Sequence, residues 1–274
     1  MGEVCCAPSP CRVCLVHPTI KLRRRQLVLF TIILISITII SSLLYTVPKS
    51  EVFSHLLTLK NGMQQKTCSV GFNTSSKGPL EVDTENIPSL LDLEHDLSEV
   101  LLPGGHFVPQ TCKSKHKVAV IVPFRDREVH LKIFLHHMHP FLQRQNLEYG
   151  IILVEQEADS LFNRAILMNI GFVESLKIRN YDCFVFHDVD LLPLDDRNYY
   201  SCSDEPIHLS ASIDVHNYKL MYHELFGGAS MMTKEMMEKV NGFSNVYFGW
   251  GGEMMTCLTD YAAIPCRLAA MPQK

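Results

Sequence analysis

The sequence lacks the charge balance of a nucleic-acid binder. Its 25 Lys and Arg stand against 29 Asp and Glu, a net charge of −4 at pH 7, so no basic surface argues for that partner. It has no internal repeat and no G-x-G-x-x-G, so neither a repeat array nor the dinucleotide fingerprint is present. Tryptophan is almost missing, with Trp250 the only one. Most informative is a local absence: residues 27–45, LVLFTIILISITIISSLLY, contain no charge. At about 1.5 Å rise per residue, about 20 such residues cross a bilayer core. A secretory signal has a shorter apolar region with a small-residue cleavage site after it, and a buried core helix this long rarely sits so near a terminus.

Lys21, Arg23, Arg24 and Arg25 precede this stretch and only Lys49 follows closely. The positive-inside rule then predicts a single-pass type II anchor: a cytosolic tail at 1–25, the span at 26–46, and everything beyond on the lumenal side. The ten cysteines divide accordingly. Cys5, Cys6, Cys11 and Cys14 fall in the reducing cytosol, where zinc binding, palmitoylation and free thiols all stay open. Cys68, Cys112, Cys183 and Cys202 fall on the oxidising side, an even number that permits two bridges. Residues 47–95 read as a spacer without sustained period, and Asn73-Thr74-Ser75 within it is an N-glycosylation acceptor if lumenal.

From Pro103 onward the pattern turns globular. KVAVIVP at 117–123 reads as a buried strand closed by proline. Leu131, Phe134, Leu135, Met138 and Leu142 give helical spacing over 128–145. YGIILV at 149–154 reads as a second strand and 160–172 as a second helix. The apolar run Phe184-Val185-Phe186 then makes a third strand. This alternation predicts an α/β fold with a mostly parallel sheet and crossover helices over residues 96–253.

The third strand ends in Asp188-Val189-Asp190, followed by Leu-Leu-Pro. Open α/β sheets place ligands beyond the carboxyl ends of their strands. Two carboxylates one residue apart there are hard oxygen ligands, suited to Mg²⁺ or Mn²⁺ shared with a diphosphate. The competing readings are a plain acidic turn and a haloacid-dehalogenase-type phosphatase; Leu192, where that type carries Thr, counts against the second. At the same edge, Pro123-Phe124-Arg125-Asp126-Arg127 offers guanidinium donors for phosphate oxygens. Arg164 is a further donor, and Phe124 or Phe162 can lie against a flat base. Solvated loops and core phenylalanines are the ordinary alternatives. His208, His216 and His223 lack the spacing of a short zinc motif, and His136, His137 and His139 read as surface. Two glycine-rich stretches, FGGAS at 226–230 and FGWGGE at 248–253, allow a ligand to approach backbone and Trp250 closely. There Glu253 can accept sugar hydroxyls; a hinge around one core Trp is the alternative.

Together GGHFVPQTC, HKVAVIVPFRDR, LFNRAILMNIGF, DCFVFHDVDLLP, FGG and NGFSNVYFGWGGE resemble, in order and spacing, the β-1,4-galactosyltransferase family of Golgi type II enzymes. The match runs from about Cys68 to Glu253. The resemblance implies a GT-A-like nucleotide-sugar domain and Mn²⁺-dependent, inverting transfer from a UDP-sugar to a GlcNAc-terminated glycan. It implies Pro123, Phe124, Arg125, Arg127, Phe162 and Arg164 as donor-binding, Asp190 as metal ligand, and Asp188 and Val189 at the donor sugar or ribose. Trp250 would bridge donor and acceptor. Tyr222, Leu225, Gly251, Gly252 and Glu253 would border the sugars. The family's two bridges map onto Cys68–Cys112 and Cys183–Cys202. Leu225 stands where galactosyl enzymes of the family carry Tyr and similar N-acetylgalactosaminyl enzymes Leu or Ile, which predicts preference for UDP-GalNAc over UDP-Gal.

The resemblance stops at Glu253. The family continues with three aspartates, the first resembling the catalytic base, and later supplies a His metal ligand. Here Met254-Met255-Thr256 follows and 254–274 diverge. With a GAG codon for Glu253, reading Glu-Met-Met-Thr one base earlier gives GAT-GAT-GAC. The next codons then permit LSNRL, so DDDLSNRL is recovered. A frame change at Glu253 is therefore expected, leaving Met254 at the base position. The expectation is an inactive chain, truncated relative to the family. A membrane-anchored sugar-binding protein, able to pair with the full-length enzyme, is the alternative.

Overall fold

The computed structural model describes residues 66–68, 78–222 and 225–249, with 35–36, 252 and the backbone of 267–268. The chain divides into two units, 1–65 and 66–274. In the first, only Ile35 and Ser36 are described, and they are helical; the rest of 27–45 and Asn73 lie outside the described residues. Among the described residues no helix is long and apolar enough to cross a membrane.

The second unit is built on a seven-stranded sheet. Its elements are α1 (Leu90–Ser98), β1 (His106–Phe107), β2 (Lys117–Phe124), α2 (Glu128–Arg144), β3 (Glu148–Glu155), α3 (Arg164–Ile178), β4 (Cys183–His187), β5 (Ile207–His208), β6 (Ala229–Thr233), α4 (Lys234–Lys239) and β7 (Arg267–Leu268). A 3-10 turn at Asp214–His216 lies between β5 and β6. The strand order is β1-β3-β2-β4-β6-β5-β7. β2 is buried from Val118 to Phe124 because it runs parallel between β3 and β4. Two βαβ crossovers, through α2 and α3, produce this parallel centre.

The sheet is mixed, however, and not mostly parallel. β1 runs antiparallel to β3, and β6 antiparallel to both β4 and β5. Among the described residues no α-helix lies between β4 and β6, and β6 runs back against β4. The reversal brings Ala229, the first residue of β6, beside His187, the last of β4. The glycine-rich residues before β6 therefore meet the acidic turn after β4.

β2 also runs one residue past the proline expected to close it. Pro123 pairs with Val154 of β3, while β4 reaches only as far as Ile121; on that side no partner needs the missing N–H. α3 begins later and ends later than the spacing predicts. Asn163 caps it, its side chain accepting Ile166 N–H. The helix continues through Gly171 because it lies flat on the sheet there. A Cβ at that position would come 2.3 Å from Ile121 Cγ2 and 3.0 Å from Val154 Cγ2.

Residues 66–68, 78–80 and 90–95, which the sequence places in a spacer, belong to the folded unit. Cys68 bonds Cys112, with Cα atoms 4.9 Å apart. Gly78 N donates to the buried Asp196 carboxylate at 2.9 Å, and Leu80 N to Leu194 O at 2.8 Å. α1 starts in a reciprocal Ser89–Asp92 capping box. Cys183 and Cys202 form the second disulfide, Cα atoms 5.6 Å apart. The histidines of α2 are not all surface: His139 is buried with Nδ1 2.8 Å from Tyr149 Oη, and His137 Nε2 donates to Pro193 O. α2 packs both on β3 and on the loop after β4, so a face read as polar is covered.

Candidate active site

Three segments converge at the carboxyl edge of the parallel strands. After His187 the chain makes a tight turn, Leu191 N donating to Asp188 O at 3.3 Å. Val189, in the middle, is buried among core residues. The two carboxylates are thereby separated in environment. Asp188 is mostly covered and lies 2.5 Å from Arg164 Nε. Asp190 is exposed and makes no hydrogen bond or ion pair among the described residues.

Arg164 is itself only 6% exposed. Its Nη2 also donates to Gly228 O at 3.4 Å, and its Nη1 faces Met168 Sδ at 3.7 Å. Asp188 N–H donates to the same Gly228 carbonyl at 2.9 Å. Arg164, expected at a diphosphate, joins the start of α3, the acidic turn and the glycine loop.

The turn is also held from behind. His187 is fully buried, and burial pushes its ring down to about 4. Its Nδ1 lies 2.8 Å from Asp188 O, which can only accept, so Nδ1 carries the hydrogen. Nε2 then accepts from Tyr200 Oη at 2.9 Å. Burial likewise raises the Tyr200 hydroxyl above its ordinary range. Both groups stay uncharged near neutrality.

At the end of β2, Arg125 stacks its guanidinium 5.2 Å from the Phe162 ring centroid and donates to Ser160 O at 2.6 Å. Arg127 is exposed at the start of α2. Phe124 is 4% exposed and sits in the core cluster, so the flat surface facing outward is Phe162. Gln156, which no motif or spacing marks, fixes this loop. Its side chain donates to Ser160 Oγ and Leu161 O and accepts Asn163 N–H at 2.8 Å. Amide side chains leave no periodic signature, which is why the residue is invisible to pattern reading.

The segment leading to Trp250 docks on the same loop. Gly249 N donates to Phe162 O at 2.9 Å, and Asn163 Nδ2 to Asn245 O at 2.8 Å. Gly249 and Gly252 adopt positive φ, +83° and +87°. A Cβ at Gly252 would strike the Tyr247 ring at 2.6 Å. Trp250, Gly251, Glu253 and Met254 lie outside the described residues. Tyr222 is exposed and Leu225 half-buried. Leu225 Cδ1 lies 3.9 Å from where a Cβ on Gly227 would be, so it borders the glycine loop. Of the three isolated histidines, His208 is buried and donates to Gly227 O at 2.8 Å, His216 lies in the 3-10 turn, and His223 is outside the described residues. Among the described residues no three His, Cys, Asp or Glu side chains gather into a metal site.

A mixed α/β sheet with an acidic turn, guanidinium groups and a glycine loop at one edge defines a GT-A-like fold. The profile of the N-terminal region of glycosyl transferase group 7 matches residues 68–203, and that of the N-terminal domain of galactosyltransferase matches 207–255. The chain belongs to glycosyltransferase family 7, the β-1,4-galactosyltransferases. It is 49% identical to mouse (Mus musculus) β-1,4-galactosyltransferase 1 over 176 residues, 64% of this chain and 44% of that protein. With Cricetulus griseus β-1,4-galactosyltransferase 4 it shares 43% over 205 residues, 75% of this chain and 58% of the other. The chain therefore spans roughly half the length of these relatives. The catalytic domain of Drosophila β1,4-galactosyltransferase 7, solved with xylobiose, superposes with TM-score 0.50 at 35% identity, over 56% of this chain and 65% of that one.

Proposed function

We propose that residues 96–253 bind a UDP-sugar with Mn²⁺ and are built for inverting β-1,4 transfer to a GlcNAc-terminated glycan, on the lumenal side of a Golgi membrane anchored by 26–46. One observation carries this reading. Asp190 is an exposed carboxylate set by a hydrogen-bonded turn beside guanidinium and glycine loops. Its partner in the motif, Asp188, is already neutralised by Arg164.

That donor set fits a hard divalent cation that takes one protein carboxylate and keeps its other positions for phosphate oxygens and water. Asp190 would hold it, and the chemistry it supplies is positive charge opposite the departing diphosphate. The chain's own groups do the rest. Arg127 offers exposed donors, and Phe162, backed by Arg125, a face for the base. Asp188, with its orientation fixed, presents its remaining lone pairs to the donor sugar or ribose. Trp250 and Glu253 would border the acceptor.

Leu225 has no hydroxyl to hydrogen-bond near the sugar's second carbon and leaves more room there than Tyr. The donor we infer is accordingly UDP-GalNAc, with UDP-Gal second. The base position is taken by Met254, whose thioether cannot remove a proton from an acceptor hydroxyl. Loss of one positioned acid–base group costs about 10²–10⁴ in rate. This chain then binds and does not turn over, a reading that also admits pairing with a complete enzyme. The match to the C-terminal family model spans residues 207–255, which is in keeping with a frame change at Glu253. The test compares the full chain with a version restored to DDDLSNRL from residue 254 and its in-frame continuation, using Mn²⁺, both UDP-sugars and a GlcNAc acceptor. Transfer by the restored protein alone is the expected result. Equal transfer by both removes the assignment of the base position, and transfer by neither removes the enzymatic reading.

A further inference from the structure

We infer that His208 and Ser210 are positioning residues that aim the amide groups of the Gly227-Gly228 loop at a bound sugar nucleotide. This rests on the reading that the loop borders the donor site. β5 ends at His208, whose ring is fully buried. Its Nε2–H donates to Gly227 O at 2.8 Å. Ser210 Oγ donates to the same carbonyl at 2.9 Å and accepts Ala229 N–H at 2.8 Å. One hydroxyl therefore fixes the peptides on both sides of Gly228.

Gly228 itself has φ +81°, and a Cβ there would lie 2.5 Å from Ser210 Oγ and 2.7 Å from Leu191 Cδ1. Ser210 and Leu191 of the acidic turn both close on it. All three carbonyls of the loop are engaged within the protein. Gly227 O takes His208 and Ser210, Gly228 O takes Asp188 N–H and Arg164, and Ala229 O takes Leu209 N–H at 2.8 Å. The N–H groups of Gly227 and Gly228 have no partner among the described residues, and both glycines are half-exposed. Paired amide donors with no internal acceptor are what a hydroxyl oxygen of the donor sugar takes.

His208 Nδ1 is buried without a hydrogen bond, a cost that an apolar side chain would avoid. What the imidazole contributes is the Nε2 bond. Burial lowers the ring's proton affinity, so Nε2–H is supplied by the neutral imidazole.

The experiment titrates the full chain in detergent with UDP, UDP-Gal and UDP-GalNAc in the presence of Mn²⁺, for the wild type, Ser210→Ala and His208→Gln. Ser210→Ala is expected to leave UDP affinity within about twofold and to lower affinity for the better UDP-sugar about tenfold, the loss of one hydrogen bond's worth of alignment. His208→Gln, with an amide N–H to replace Nε2–H, is expected to retain both. Equal losses for UDP and UDP-sugar, or no loss for either, overturns the assignment. Hydrogen exchange at the Ala229 amide supplies a ligand-free readout: it speeds up in Ser210→Ala while the β2 amides stay protected. Should the wild type bind no nucleotide, the donor-site reading fails, and so does the aiming role; faster Ala229 exchange would then show only a loop clamp.

Discussion

Arg164 Nε lies 2.5 Å from Asp188 Oδ1, and this pair divides the acidic motif into two unlike halves. One carboxylate is neutralised and nearly buried; the other is open to ligand. The guanidinium offsets one of the two negative charges and, through Gly228 O, ties the turn to the glycine loop.

Replacing Arg164 by Met should therefore destabilise the fold. It leaves Asp188 largely covered without its cation, worth about 2–4 kcal/mol given its residual exposure. Denaturant unfolding of the variant measures this. Arg164→Lys keeps the charge without the fork and should recover part of the loss. A midpoint unchanged by Arg164→Met would mean that the pair is not structural.

Leu225→Tyr should move donor preference from UDP-GalNAc towards UDP-Gal. One added hydrogen bond and the lost volume together are worth about 1–3 kcal/mol, a ratio change of about 10–100-fold. Competition binding with the two UDP-sugars reads it without turnover. A ratio that stays constant argues against Leu225 as the selector.

Acid should unfold this protein for a stated reason. Burial holds His139 and His187 down to about 4, against an ordinary value near 6.5. Their contribution to stability is complete above about pH 6.5. It declines as pH falls, because the unfolded chain takes up protons first, and levels off below about 4. Each proton is worth about 1.4 kcal/mol per pH unit in that window. His106, His116, His137 and His208 are displaced in the same direction, chiefly by burial, and add to the slope. Urea unfolding at pH 7, 6 and 5 should show the decline, and His139→Gln should remove one proton's share. An identical slope in the variant would contradict this account.

Gly171→Ala tests the seat of α3. Alanine alone favours a helix by about 1 kcal/mol. Here its Cβ must enter space held by Ile121 Cγ2 at 2.3 Å, so a net loss of about 1–3 kcal/mol is expected. A rise in the unfolding midpoint would show that the helix stands off the sheet.

The parallel centre was legible in the sequence because each element there has its own period. Seven successive buried residues in β2 and the apolar face of α2 need no tertiary knowledge. The second half was not. β5 is two residues long and β6 reads ASMMT, with no alternation to show which way it runs. Its reversal is what brings Gly228 to Asp188. The acidic turn could be found from composition and position, but the role of Arg164 could not. An arginine at a helix start reads equally as a phosphate donor or as an internal partner, and only the folded geometry shows the bond to Asp188. His208 and Ser210 act through hydrogen bonds to main-chain groups 17–19 residues along the chain, and Gln156 through bonds to a loop without a period, relationships that local spacing does not encode.

Calorimetric titration of UDP into the full chain, with Mn²⁺ and with Mn²⁺ chelated, for wild type and Asp190→Ala, goes most directly to the proposed site. Asp190 is exposed with no partner among the described residues, so its removal should leave stability within about 0.5 kcal/mol. UDP should bind the wild type only with Mn²⁺ and should fail to bind Asp190→Ala in either condition. Equal UDP affinity in all four titrations would contradict the account.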